Sequence, residues 1–204
     1  MIPPASEAPP SPAAIDGRRA RSGASRARIV AAMLECVAAG EVAPSAAQIA
    51  ELAGVGLRSV FRHFKDMDAL YREMTEALAQ QVQPILARPP QGATWQARLR
   101  DIAARRAQIY ETILPYRISA ELRRFESAYL MEDFRRMQRM EAEALAAHLP
   151  EAVRADRAGA VGLGVILGFG TWRQLRRDQG LPPEEAAQVV RRMLEDALAR
   201  WPER

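Results

Sequence analysis

From about residue 29 onward, apolar residues recur three and four positions apart, and alternating β-type runs are almost absent, so the pattern predicts helices. Ile29, Val30, Met33, Leu34 and Val37 trace the first helix, starting near Ser25 and stopped by Gly40. A short second helix follows, capped by Ser45, with Ile49 and Leu52 inward and Gly54 just past its end. The third, over residues 57–64, turns Val60 and Phe64 inward and leaves Arg58, Ser59 and Arg62 on other faces. Two short helices joined by a glycine-containing turn predict a helix-turn-helix. Asp66 can cap a fourth helix striped with Leu70, Met74 and Leu78, with Pro84 near or beyond its end.

Residues 88–92 (RPPQG) break the pattern. Beyond them Thr94 can cap a helix carrying Trp95, Leu99, Ile102, Ile109 and Ile113, stopped near Pro115, and a shorter helix covers 116–125. The next helix carries Leu130, Phe134, Met137, Leu145 and Leu149 and ends at Pro150. Two final helices, about 153–178 and 183–200, are separated by a Gly-Leu-Pro-Pro segment. The expectation is an all-α fold of about nine helices without internal repeats. It has a helix-turn-helix domain over 25–72 and a helical ligand-binding and dimerisation domain over 73–204.

Composition adds three points. With 204 residues, 49% of them hydrophobic, the chain can build a sizeable core. Residues 1–24, rich in Pro, Ala, Ser, Gly and Arg, carry too little apolar surface to offset ordering entropy and are expected to be a disordered tail. Charge is the third. The net +4 is concentrated, because residues 18–65 hold eight basic against three acidic side chains while residues 66–204 are nearly balanced. Positive charge gathered in one module points to a polyanion, though a solvated Arg-rich tail gives part of the same count. Cys36 is the only cysteine, no secretory pattern is present, and no apolar stretch approaches 20 residues, so the expectation is a cytoplasmic protein without a membrane partner.

Residues 53–65, AGVGLRSVFRHFK, with Ile49 and Ala50 upstream and Leu70 downstream, resemble the DNA-binding signature of TetR-type (tetracycline-repressor-type) transcriptional regulators. The match is local and specific; helix order and length fit the same family, and Leu175 to Leu181 before the last helix is similar but less diagnostic. The resemblance implies a homodimer that binds double-stranded operator DNA through the N-terminal domain and an unidentified small-molecule effector through the domain behind it. It further implies DNA contacts from Ser45, Ser59, Phe61, His63 and Lys65, and a base-facing position for Leu57. Phe61 stands where tyrosine is usual, removing a hydroxyl-to-phosphate bond, and Gly56 replaces a frequent serine, weakening a cap.

The residues support that implication physically. A helix fits the major groove, and Arg58 and Arg62, one turn apart, can each reach guanine O6 and N7 or contact phosphate instead. Leu57 can rest on a thymine methyl or extend the module's core. His63 has no metal or catalytic partner nearby in sequence, and the pairs Glu132/Asp133 and Glu184/Glu185 fit solvated helix faces or helix starts. No phosphate loop, metal-ligand spacing or nucleophile motif occurs, so neither a cofactor nor an enzymatic activity is expected.

In the C-terminal domain Arg106 interrupts the apolar stripe, as one half of a structural ion pair or as the polar group of a ligand cavity. Tyr110, Phe125, Tyr129, Phe134 and Trp172 are candidate pocket aromatics, although such spacing also suits plain core. Five glycines between residues 159 and 170 suggest close backbone approach. Gly164 and Gly168, with Val190, Leu194 and Leu198, are candidates for a two-fold helical interface or for burial inside one protomer. The function expected from all this is a sequence-specific regulator, a repressor released by its effector. A DNA-packaging protein without sequence preference and a helical small-molecule carrier are the alternatives.

Overall fold

The computed structural model describes residues 12–202, with side chains from residue 22 onward, and these residues are all-helical. Ten α-helices and one π-helical turn occur among the described residues. They divide into two compact units between Met74 and Thr75.

The first unit contains α1 (Pro12–Ala38), α2 (Ala46–Leu52), α3 (Leu57–His63) and the start of α4 (Met67–Leu86). Here α1 begins well before Ser25, so residues 12–24 of the expected tail are helical, while residues 1–11 lie outside the described ones. Ala13, Ala14, Arg18, Arg19 and Ala20 are strong helix formers, and extending an existing helix needs no new nucleation. Pro12 sits in the first turn, where a missing N–H costs nothing. Ile29, Met33, Ile49, Val60, Phe64 and Leu70 are buried together in this unit. Leu52, expected inward on α2, is instead exposed, because Ala53 follows Ile49 at a spacing of four and takes the inner position.

The second unit holds α5 (Trp95–Arg123), α6 (Ala128–Ala146), α7 (Glu151–Ala155), α8 (Arg157–Ile166), α9 (Phe169–Arg173), a π-helical turn (Gln174–Asp178) and α10 (Pro183–Leu198). Its core draws on Leu99, Tyr110, Leu114, Leu145, Leu163, Phe169, Trp172 and Leu194.

Two expected boundaries move. Pro115 does not stop α5; instead of two helices meeting there, one continues to Arg123. A proline inside a helix costs about 3 kcal/mol. Burial of Leu114, Arg117 and Ser119 on either side of it works against that cost. Conversely, the single helix expected over 153–178 is divided. Asp156 separates α7 from α8, its carboxylate accepting from the Gly159 amide at 3.1 Å, and α8 ends at Leu167 before an extended Gly168 starts α9. A Cβ on Gly168 would lie 2.9 Å from the Gly164 carbonyl oxygen, so the joint accepts no larger residue without rearrangement.

Candidate functional site

In the first unit, α2 and α3 are joined by residues 53–56. The Ser45 side chain accepts from the Gln48 amide while Gln48 reaches back to the Ser45 amide, a reciprocal cap that defines the start of α2. Gly54 closes α2 at φ +62°, a left-handed conformation that costs other residues about 1 kcal/mol. Gly56 begins α3 with no side-chain cap.

The amphipathic pattern of α3 divides its residues cleanly. Val60 and the following Phe64 are buried, whereas Leu57, Arg58, Phe61, Arg62 and Lys65 face solvent, with Phe61 55% exposed. Ser59 is half-buried, with its hydroxyl 3.4 Å from Arg62 Nη2. Thus five of the candidate DNA-contacting residues share one open face, and Ser45 is exposed at the start of α2.

His63 behaves differently. Its Nε2 is buried without a hydrogen-bond partner among the described residues. Burial, reinforced by Arg62 and Arg26, lowers its pKa, favouring the neutral imidazole.

Sequence reasoning missed Arg26. Its guanidinium donates to the His63 carbonyl at 2.6 Å and to Glu73 Oε1 at 2.7 Å, and stands 4.4 Å from the centroid of the Phe64 ring. A cation on the last carbonyl of α3 complements the helix dipole and ties this helix to α1 and to the first turns of α4. No sequence pattern announces such a contact, because the partners are 37 and 47 residues away.

In the second unit Arg106 has neither a carboxylate partner among the described residues nor a large cavity of its own. Its Nη1 and Nη2 donate to the carbonyls of Leu167 at 3.1 Å and Glu141 at 2.9 Å. Tyr110 donates to the same Leu167 carbonyl at 3.2 Å. That carbonyl is an orphan of the α8 terminus, so the two side chains supply what the interrupted helix lacks. Burial pushes the Tyr110 hydroxyl far above its ordinary pKa, keeping it a donor.

Trp172 is buried and donates to Glu111 at 3.2 Å, and Glu111 also takes Arg176 at 2.7 Å, which holds its carboxyl below the usual range. Arg106, Tyr110 and Trp172 therefore border one small cavity, of about 10 Å³. Phe125, Tyr129 and Phe134 do not line it; Phe125 is 76% exposed beyond α5, and Arg124 lies over both phenylalanine rings at 4.7 and 4.2 Å. The six pocket candidates are not one set, because the turn between α5 and α6 carries the last three away from the joint between α8 and α9.

Arg117 is a further buried residue that the sequence reading passed over, paired with Glu141 and stacked 4.3 Å from the Phe169 centroid. Stopping the helix at Pro115 hid it; continued, the stripe places Arg117 eleven residues, or three turns, beyond Arg106 on the same face.

The interface candidates separate as well. Val190, Leu194 and Leu198 are buried in the core of their own protomer, which removes them from any external interface. Gly164 faces Leu145 at 3.9 Å from its Cβ position, and Gly168 serves the joint. Exposed apolar side chains lie elsewhere, at Val161 (58%) and Val165 (61%) on α8 and Met193 (38%) on α10.

Among the described residues no cluster of potential metal ligands occurs, and no helix is long and apolar enough to cross a membrane. No protein-family model and no curated protein matches the chain.

Proposed function

We propose that this chain is a sequence-specific DNA-binding transcriptional regulator of the TetR type, a cytoplasmic repressor released from its operator by a small molecule. The observation that carries this reading is the face of α3. Seven residues long, it buries Val60 against its unit and offers Leu57, Arg58, Phe61 and Arg62 to solvent, with Lys65 following. Side chains arranged this way suit a major groove, arginines for guanine edges or phosphates and apolar tips for thymine methyls. Capped α2 and the tether from Arg26 hold that helix in register, which base reading requires.

The homodimer belongs to the same proposal, since a two-fold protein matches two half-sites. Val161 and Val165 on α8, with Met193 on α10, are its candidate contacts in place of the buried valine and leucines.

Selection of bound sequences from a random duplex pool tests the proposal, with enrichment of a palindromic motif as the expected result. On that motif Arg58→Ala and Arg62→Ala should each cost about 1 to 3 kcal/mol and relax preference at particular base pairs. Lys65→Ala should weaken all duplexes alike. Binding of every duplex equally, with a steep salt dependence, would favour a packaging protein instead.

A further inference from the structure

A groove of about 610 Å³ runs between α5 and α10. Small residues keep it open, with Ala103, Ala104 and Ala107 on one wall and Ala187 on the other. Ala103, Ala107, Trp172 and Val190 also border the cavity of about 10 Å³ that reaches Arg106, Tyr110 and Gly168. The two spaces thus share a wall, apolar throughout, with the two hydrogen-bond donors on its far side.

Charge decides what fits there. Of the carboxylates on the groove's rim, Glu195 is engaged by Arg100 at 2.7 Å and Glu111 by Arg176 at 2.7 Å, with Glu184 and Arg191 also on the rim, and the neighbouring Arg117 is matched by Glu141. Deeper in, Arg106 is a half-buried guanidinium whose hydrogen bonds go to backbone carbonyls. An anion gains more from such a cation than a carbonyl does, because charge-assisted hydrogen bonds are the stronger ones.

Size decides what must move. A cavity of about 10 Å³ holds roughly one water molecule, too little for a carboxylate. An anionic head can reach Arg106 and Tyr110 only by displacing the Leu167 carbonyl at the joint between α8 and α9.

We propose that the groove binds an elongated apolar carboxylate whose head replaces the Leu167 carbonyl as acceptor for Arg106 and Tyr110. Removing those donors frees the end of α8, the helix that carries Val161 and Val165. The ligand thereby biases the surface proposed for dimerisation, and this consequence rests on the regulator reading, whereas the binding itself does not.

The test is calorimetric titration of the full chain with decanoate, decanol and decyltrimethylammonium. Decanoate should bind about ten-fold or more tightly than decanol, the scale of a charge-assisted pair, and the ammonium most weakly. Arg106→Met should abolish the preference for decanoate over decanol, and Ala107→Trp should block both ligands while leaving the helical circular dichroism intact. If Arg106→Met fails to fold, Tyr110→Phe supplies the comparison, with a several-fold loss for decanoate alone. Equal binding of decanoate and the ammonium, or decanoate binding that survives Ala107→Trp, overturns the proposal. Decanoate binding by a chain that ignores every duplex supports the site and overturns the regulator, leaving a carrier.

Discussion

One helix from each unit, α2 in the first and α8 in the second, solves the same problem, ending where the chain must turn, by opposite means. In the first unit α2 ends on residues adjacent in sequence, with Ser45 and Gln48 closing its start and Gly54 its end, whereas the last carbonyl of α3 is taken by Arg26 of α1. In the second, the end of α8 is completed from afar, by Arg106 and Tyr110 some sixty positions earlier in the chain. Local caps make a helix position itself; distant ones make it depend on another helix. By that measure α2 stands on its own caps, whereas α3, through Arg26, and the joint after α8, through Arg106 and Tyr110, depend on other helices.

The largest test of this contrast is Phe64→Ala. Loss of a fully buried ring should cost about 3 to 5 kcal/mol, read by amide exchange as collapsed protection in α2 and α3 with α5 and α10 retained. Equal loss in all four helices would show the two units unfolding as one. Next comes Gly168→Ala, whose Cβ meets a backbone carbonyl at 2.9 Å and should cost about 1 to 3 kcal/mol in urea denaturation. Gly164→Ala, with its nearest contact at 3.9 Å, should be neutral or stabilise by up to about 1 kcal/mol. Similar losses from both would remove the joint from its place in the contrast.

Smaller effects sharpen the comparison from the other side. Gly56 has φ −69° and open space where a Cβ would lie, so Gly56→Ser should add a local cap to α3 and a few tenths of a kcal/mol to its unit's stability. The pH response of His63 is the smallest. Its folded pKa lies below the ordinary 6.5, so the unfolded chain binds the proton more readily and stability should decline as pH falls through 6.5. Urea midpoints at pH 7.5 and 5.5 measure that decline, and His63→Gln should reduce it.

The same contrast explains what could be read from the sequence. The exposed face of α3 was legible because capping residues, a glycine turn and period-3.6 burial all lie within about twenty positions. Arg106 was visible as an anomaly in an apolar stripe, but not its answer, since carbonyl partners carry no side-chain signature. The through-going Pro115 was misread because tertiary packing overrode local propensity, whereas the break in the glycine-rich helix follows local propensity, at the capping Asp156 and at Gly168, which the surrounding apolar run masked. Val190, Leu194 and Leu198 fit the heptad-like spacing of an interface, yet the same spacing serves a core, and only the fold decides between them.

Lys65, exposed immediately after Phe64 at the end of α3, is the only lysine in a chain with 28 arginines. Arginine does not react with amine-directed reagents under ordinary conditions, so the side-chain amine chemistry of the whole molecule is confined to one position. Reductive methylation with ¹³C-formaldehyde would therefore give a single dimethyl-lysine resonance, placed on the face proposed to meet DNA and obtained with the cation kept and no substitution made in that face. Lysine acetylation, likewise, has one address on this protein, and it neutralises a cation at the edge of the same helix.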